Sequence, residues 1–170
     1  MQTFLPYADF TASAQALDDK RLGKQRVECI QVVRGLTVPG YGWRNHPAVT
    51  MWRGCLEALG RYSLTCCEVW VARGFADTCA ATIRADLAGS GVEAVRTQDE
   101  LAAAGALPSW LGDEAFHRSH RSSLISKLPA RYGALFDDVE PGLPYVWPPG
   151  REDGGAVIPP GGPTSGAPPR

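Results

Sequence analysis

The side chains with the most chemical promise come early in the chain. Arg21, Lys24, Gln25 and Glu28 are separated by three and four positions, so a helix through them sets a carboxylate and two cations on one face. Such a carboxylate can stabilise developing positive charge and move protons, while the cations beside it hold phosphate oxygens. The same spacing also describes a solvated face with an ion pair of little energetic weight. A second constellation is Glu114, His117, Arg118, His120 and Arg121, with His46 far upstream. It admits three readings. The basic groups, together with Lys127, can contact phosphates, helped by the hydroxyls of Ser119, Ser122 and Ser123. They can make caps and inter-helix hydrogen bonds to the loop around His46. Or the histidines can share a metal, although E-x-x-H-x-x-H lacks the i, i+4 histidine pair of H-E-x-x-H enzymes, so no metal ligands are assigned.

The elements that must position these groups read as helices. Asp9 or Thr11 can cap a first helix through Ser13, Ala14, Ala16 and Leu17. From Asp18, the recurrence of Leu22, Val27, Ile30 and Val33 predicts a second helix that Gly35, Pro39 and Gly40 end. The glycine- and aromatic-rich stretch 40–47 predicts a loop delivering a helix with Pro47 at its first position. Apolar residues from Val49 to Trp70 mark a central core helix with a possible break at Gly60 and a stop at Gly74. Residues 76–107 are weakly amphipathic and read as a peripheral insertion. Asp113 then caps a helix bearing Phe116, Leu124 and Leu128, which Pro129 terminates.

A chain of 170 residues suits one domain, and 44% apolar with 21% charged residues is ordinary for a globular protein. The expectation is an all-α, compact, single-domain helical bundle over residues 1–148. A disordered Pro/Gly-rich tail follows over 149–170, with Tyr145 and Trp147 lying against the domain just before it. The five cysteines are odd in number and lack C-x-x-C spacing, which reads as reduced thiols in a core. No stretch approaches the roughly 18 apolar residues of a membrane span, and no secretory pattern opens the chain, so a cytoplasmic location is expected. The net charge of −1 gives no overall attraction to a polyanion. The basic residues are unevenly spread, however: Arg21, Lys24, Arg26, Arg34, Arg44 and Arg53 crowd the first third.

With the elements laid out, four segments resemble the pyrimidine-dimer DNA glycosylase family, the endonuclease V type that excises ultraviolet photoproducts. They are Leu17-Asp18-Asp19-Lys20-Arg21-Leu22-Gly23-Lys24-Gln25-Arg26-Val27-Glu28, Gly42-Trp43-Arg44-Asn45-His46-Pro47, Arg73-Gly74-Phe75 and Asp113-Glu114-Ala115-Phe116-His117-Arg118-Ser119-His120-Arg121-Ser122. The resemblance implies an all-helical fold that needs no cofactor. It implies attack on the sugar C1′ by the chain's terminal α-amine, with a carboxylate on the first long helix assisting and β-elimination cutting the strand. An α-amine has a reference pKa of about 7.7 to 8.0 against about 10.4 for lysine, so more of it is unprotonated near neutrality.

Carried onto this chain, the resemblance makes Glu28 the carboxylate. Family members expose a small second residue; Gln2 is bulky, which leaves the amine of Met1 as the nucleophile, or none. In the family an arginine directly precedes the glutamate, whereas Val27 stands between Arg26 and Glu28 here. The expected DNA contacts are Arg21, Lys24, Gln25, Arg26, Arg44, His46, His117, Arg118, His120 and Arg121, and the expected partner is damaged double-stranded DNA. No obligate protein partner is evident. Tyr41 and Trp43 are the aromatics expected to be exposed, with Trp52 and Trp110 inside. The alternatives are a non-catalytic damage-sensing module on the same scaffold and a metal-assisted hydrolase using His46, His117 and His120.

Overall fold

A computed structural model describes residues 1–151, and every regular element among them is a helix. An irregular segment over residues 1–9 leads into α1 (Phe10–Ala16), where the Asp9 carboxylate accepts from the Ala12 N–H and caps the first turn. α2 (Asp19–Thr37) buries Leu22, Gln25, Cys29, Val32 and Val33, a stripe with helical spacing. After the 40–46 loop come α3 (Pro47–Thr50) and α4 (Leu56–Ala72), the latter ending at Gly74 with φ +91°. α5 (Cys79–Ala88) and α6 (Gln98–Ala103) follow, then α7 (Glu114–Lys127) and α8 (Pro129–Leu135).

The core forms where α2 and α4 pack together and α5 lies against both. Tyr62 and Leu59 of α4, Trp52 before it and Phe10 of α1 are wholly buried there. All five cysteines are free and buried, as their apolar surroundings predict. The stretch over 76–107 is not peripheral. Ile83, Leu87 and Leu101 have no exposed surface, and Arg34 of α2 holds Asp86 of α5 at 2.7 Å.

Two glycines expected to interrupt helices lie inside them instead, and close contact is the reason. A Cβ on Gly60 of α4 would stand 2.6 Å from Leu87 Cδ1, and one on Gly35 of α2 would stand 2.8 and 2.9 Å from the two methyls of Val49. The expected single central helix is in fact split into α3 and α4 around Gly54, whose φ of +72° an L-residue rarely adopts.

From Pro141 the chain runs back as an irregular strap over α7. The Ser122 hydroxyl donates to the Glu140 carbonyl at 2.6 Å and accepts from the Leu143 N–H at 2.9 Å, and Ser119 and Ser126 accept from Val146 and Gly142. The serines expected to help hold phosphates therefore fasten the strap. The tail expected from residue 149 begins with residues that are held in place: Arg151 donates from its backbone to Arg53 and from its guanidinium to the carbonyls of Gly105 and Leu107. Gly150 allows this, because a Cβ there would lie 2.3 Å from the Thr50 carbonyl oxygen. The rest of that expected tail, 152–170, lies outside the described residues.

Because Val49 is β-branched and cannot turn its methyls away, Gly35→Ala should be destabilising. The overpacking cost of about 1–3 kcal/mol outweighs a helix-propensity gain of at most about 1 kcal/mol. A lowered thermal midpoint with unchanged far-ultraviolet dichroism is the expected result.

Candidate active site

The candidate site is built around the first residues of the chain, which side chains hold in place of a helix or sheet. Gln25 of α2 spans two peptides: its Oε1 accepts from the Phe4 N–H at 2.9 Å and its Nε2 donates to the Gln2 carbonyl at 2.7 Å. The Tyr62 hydroxyl donates to the Phe4 carbonyl at 2.6 Å, and the Trp52 indole donates to the Thr3 hydroxyl at 3.0 Å. Two α7 histidines grip Leu5. His120 Nδ1 accepts from its N–H at 3.0 Å, and His117 Nδ1 donates to its carbonyl at 2.8 Å while Nε2 accepts from the Gly112 N–H. Arg121 donates to the Pro6 carbonyl at 2.8 Å. A buried backbone must find partners for its N–H and C=O groups, and here three helices, α2, α4 and α7, supply them.

This clamp brings the Met1 amine to 3.7 Å from Glu28 Oε1, an ion-pair contact just beyond hydrogen-bond distance. Lys24 Nζ lies 3.5 Å from the same oxygen, one helical turn away and well exposed. The two groups line a cavity of about 380 Å³, a volume typical of small-molecule sites. Gln2, Phe4 and Tyr145 form its walls, and Lys20, Arg21, Lys24 and Lys127 surround it. Five nitrogen cations, counting the terminus, thus line the cavity with Glu28, and two of them, Met1 and Lys24, lie within 3.7 Å of its carboxylate. Arg21 is steadied by Asp18 at 2.8 Å and by the Lys127 carbonyl at 3.1 Å. His46 caps α3, its Nδ1 accepting from the Ala48 N–H at 3.1 Å. Partial burial lowers its pKa, the Met1 amine lowers it further and Glu28 opposes them, which places the ring within electrostatic range of the amine and carboxylate.

Of the residues expected at DNA, the structure brings Arg21 and Lys24 to the cavity and leaves Arg44 exposed on its loop. Others serve the scaffold. Gln25, His117, His120 and Arg121 are buried and committed to the backbone of residues 2–6, because that segment lies in no helix or sheet. Arg26 pairs with Asp77 and lies 4.2 Å over the Trp70 ring. Arg118 pairs with Glu140 at the surface, 2.5 Å away. The hydrogen-bonding reading of the histidine cluster was thus nearest, although its partner is the start of the chain and not the His46 loop. Among the described residues no three His, Cys, Asp or Glu side chains gather as a metal would require.

Phe4, Lys20 and Tyr145 of the lining escaped the sequence reading, whereas Lys127 is among the expected phosphate contacts. Lys20 had a signal, since it stands four positions before Lys24 and eight before Glu28 on the same stripe. Phe4 and Tyr145 had none, because they reach the cavity from the first residues of the chain and from the strap.

Fold and cavity together define a class: an all-helical protein whose first residue's amine and a helix-borne carboxylate share one cation-rich pocket. Residues 1–83, from the terminal amine to the middle of α5, match the model of the pyrimidine dimer DNA glycosylase family. The match includes Met1, Gln25 and Glu28 and stops before α7 and the strap. No curated protein and no solved structure matches the chain.

Burial holds the pKa of His120 down to about 3, against about 6.5 for a free histidine, with His117 contributing. Above pH 6.5 the ring is neutral in both the folded and unfolded chain and imposes no penalty. As pH falls from 6.5 toward 3 the unfolded chain binds a proton that the folded one refuses, so stability drops by up to about 1.4 kcal/mol per pH unit. His120→Asn keeps an acceptor for Leu5 and cannot titrate. Its unfolding free energy, measured in denaturant between pH 6.5 and 5, should fall less steeply than that of the unsubstituted protein.

Proposed function

We propose that the protein is a DNA-repair glycosylase that removes a damaged or modified pyrimidine by imine chemistry, with Met1 supplying the amine and Glu28 the carboxylate. The observation that supports this most is the 3.7 Å approach of the Met1 amine to Glu28 inside a cavity surrounded by cations. A pyrimidine nucleotide turned out of the duplex enters that cavity. Lys20, Arg21, Lys24 and Lys127 hold its flanking phosphates, which lets a chain of net charge −1 bind a polyanion through one local surface.

The lone pair of the neutral amine bonds to C1′ as the bond from C1′ to the base breaks, and the base leaves with that electron pair and gains a proton. Glu28 stabilises the positive charge on the sugar and accepts a proton from the new ammonium group. The bond from C1′ to O4′ then opens, O4′ takes a proton, and a C1′=N imine joins protein to DNA. Loss of a proton from C2′ expels the 3′ phosphate and cuts the strand. Phe4 and Tyr145 shield the reacting carbon, and the clamp on residues 2–6 keeps the amine in place without relying on a flexible lysine stem.

Borohydride reduction with ultraviolet-irradiated duplex should trap a covalent adduct, read as a shifted band on a denaturing gel. Glu28→Gln should slow adduct formation by about 10²- to 10⁴-fold. A Gly-Ser extension ahead of Met1 should abolish it while leaving DNA affinity within about twofold. Salt-sensitive binding with no adduct on any pyrimidine lesion would show a damage-binding module without turnover and overturn the catalytic reading.

A further inference from the structure

A row of aromatic rings leads from the buried clamp, past the cavity, to solvent. Phe116 and His120 are 4.3 Å apart between ring centroids, His120 and Tyr145 5.5 Å, and Tyr145 and Trp147 5.2 Å. The row continues from Trp147 to His46 at 6.1 Å and from His46 to Trp43 at 5.7 Å. Its inner members are buried, and Tyr145 is a wall of the cavity. Its outer members are not covered: Trp43 is 49% and Trp147 38% exposed. Both are held firmly for surface tryptophans. His46 lies edge-on between them at interplanar angles of 74° and 89°, with its ring fixed by the cap on α3. The strap fixes Trp147 through the Val146 N–H, which donates to Ser119 at 3.2 Å.

Packing does not account for two exposed indoles beside a polar cavity, since apolar area of this kind is more stable inside the core. The surroundings indicate what covers them. Arg44 follows Trp43 directly, and Arg44 and Arg53 are both exposed and line a separate depression of about 430 Å³ between the loop and the end of α2. Rigid aromatic faces with guanidinium groups alongside are the two components of a platform for unpaired nucleotides: the rings stack on bases and the cations follow the phosphates. An acidic peptide would meet the arginines but would leave the indole faces without a planar partner.

We propose that Trp43, His46 and Trp147 form a stacking platform for an unpaired nucleobase next to the one that enters the cavity, with Arg44 and Arg53 holding its phosphate. The proposal rests on the reading of the cavity as a nucleotide site and adds a second, non-reacting position to it. The platform stabilises DNA that is already opened and leaves paired DNA untouched. It thereby favours lesions that weaken base pairing, independently of how well the damaged base itself fits.

The test is the affinity of the full chain for a short labelled single-stranded oligonucleotide, compared with the corresponding duplex at one salt concentration by fluorescence anisotropy. Trp43→Ala should weaken single-strand binding by about tenfold or more and duplex binding by less than about twofold, and Trp43→Phe should retain most of the single-strand affinity. Trp147→Ala should behave as Trp43→Ala does. Unchanged single-strand affinity in the alanine variants, an equal loss on both forms of DNA, or no single-strand binding by the unsubstituted protein would each overturn the platform. These readouts do not involve borohydride trapping. A protein that binds single strands through Trp43 yet yields no adduct would leave the platform standing and remove only the catalytic reading.

Discussion

Everything at the candidate site depends on a short buried backbone whose hydrogen bonds are met by side chains. Residues 2–6 enter the protein without helix or sheet, so each peptide group must find a donor or acceptor from a neighbour. Gln25, Tyr62, His117, His120 and Arg121 supply them, and Trp52 adds a bond to the Thr3 side chain. An unsatisfied buried peptide group costs roughly 1–3 kcal/mol, so the segment has few alternative registers. Fixing the register also fixes the position of the nitrogen at its beginning. Scaffold and candidate site are thus continuous: buried polar groups outside the cavity set where the terminal amine sits.

The charge pattern around that nitrogen follows from helix geometry. Lys20, Lys24 and Glu28 occupy successive turns of α2, and Lys127 arrives at the same opening from the end of α7. Elsewhere, several cations are matched by acids: Arg26 by Asp77, Arg34 by Asp86, Arg96 by Glu57 and Arg118 by Glu140. Because those pairs neutralise much of the surface, the excess at the cavity stands out against a weak background, and a near-neutral protein can present a local positive potential.

What could be read from the sequence was largely local. The caps at Asp9 and Asp113, Pro47 at a helix start, Gly74 at a helix end and the polar stripe of α2 each depend on residues within a few positions of one another. The pairing of Met1 with Glu28 came from the family resemblance. The roles of His117, His120 and Arg121 were hidden because their partners lie 112 to 115 positions away, and a histidine has the same letter whether it meets a phosphate or a peptide. Gly35 and Gly60 looked like interruptions for a similar reason: the contacts that demand them, with Val49 and Leu87, belong to other helices. The stretch over 76–107 looked marginal because its large apolar residues are few, yet Ile83, Leu87 and Leu101 are all fully enclosed.

The strap that carries Tyr145 also governs when the pocket can exist. During synthesis the first residues leave the ribosome with α2 and α4 soon behind them, but the α7 groups that hold Leu5 and Pro6 emerge more than a hundred residues later. The wall at Tyr145 comes later still. Contacts this distant in sequence close late in folding. A nascent or C-terminally shortened chain therefore has the amine of Met1 but not the complete pocket around it until the strap has been made.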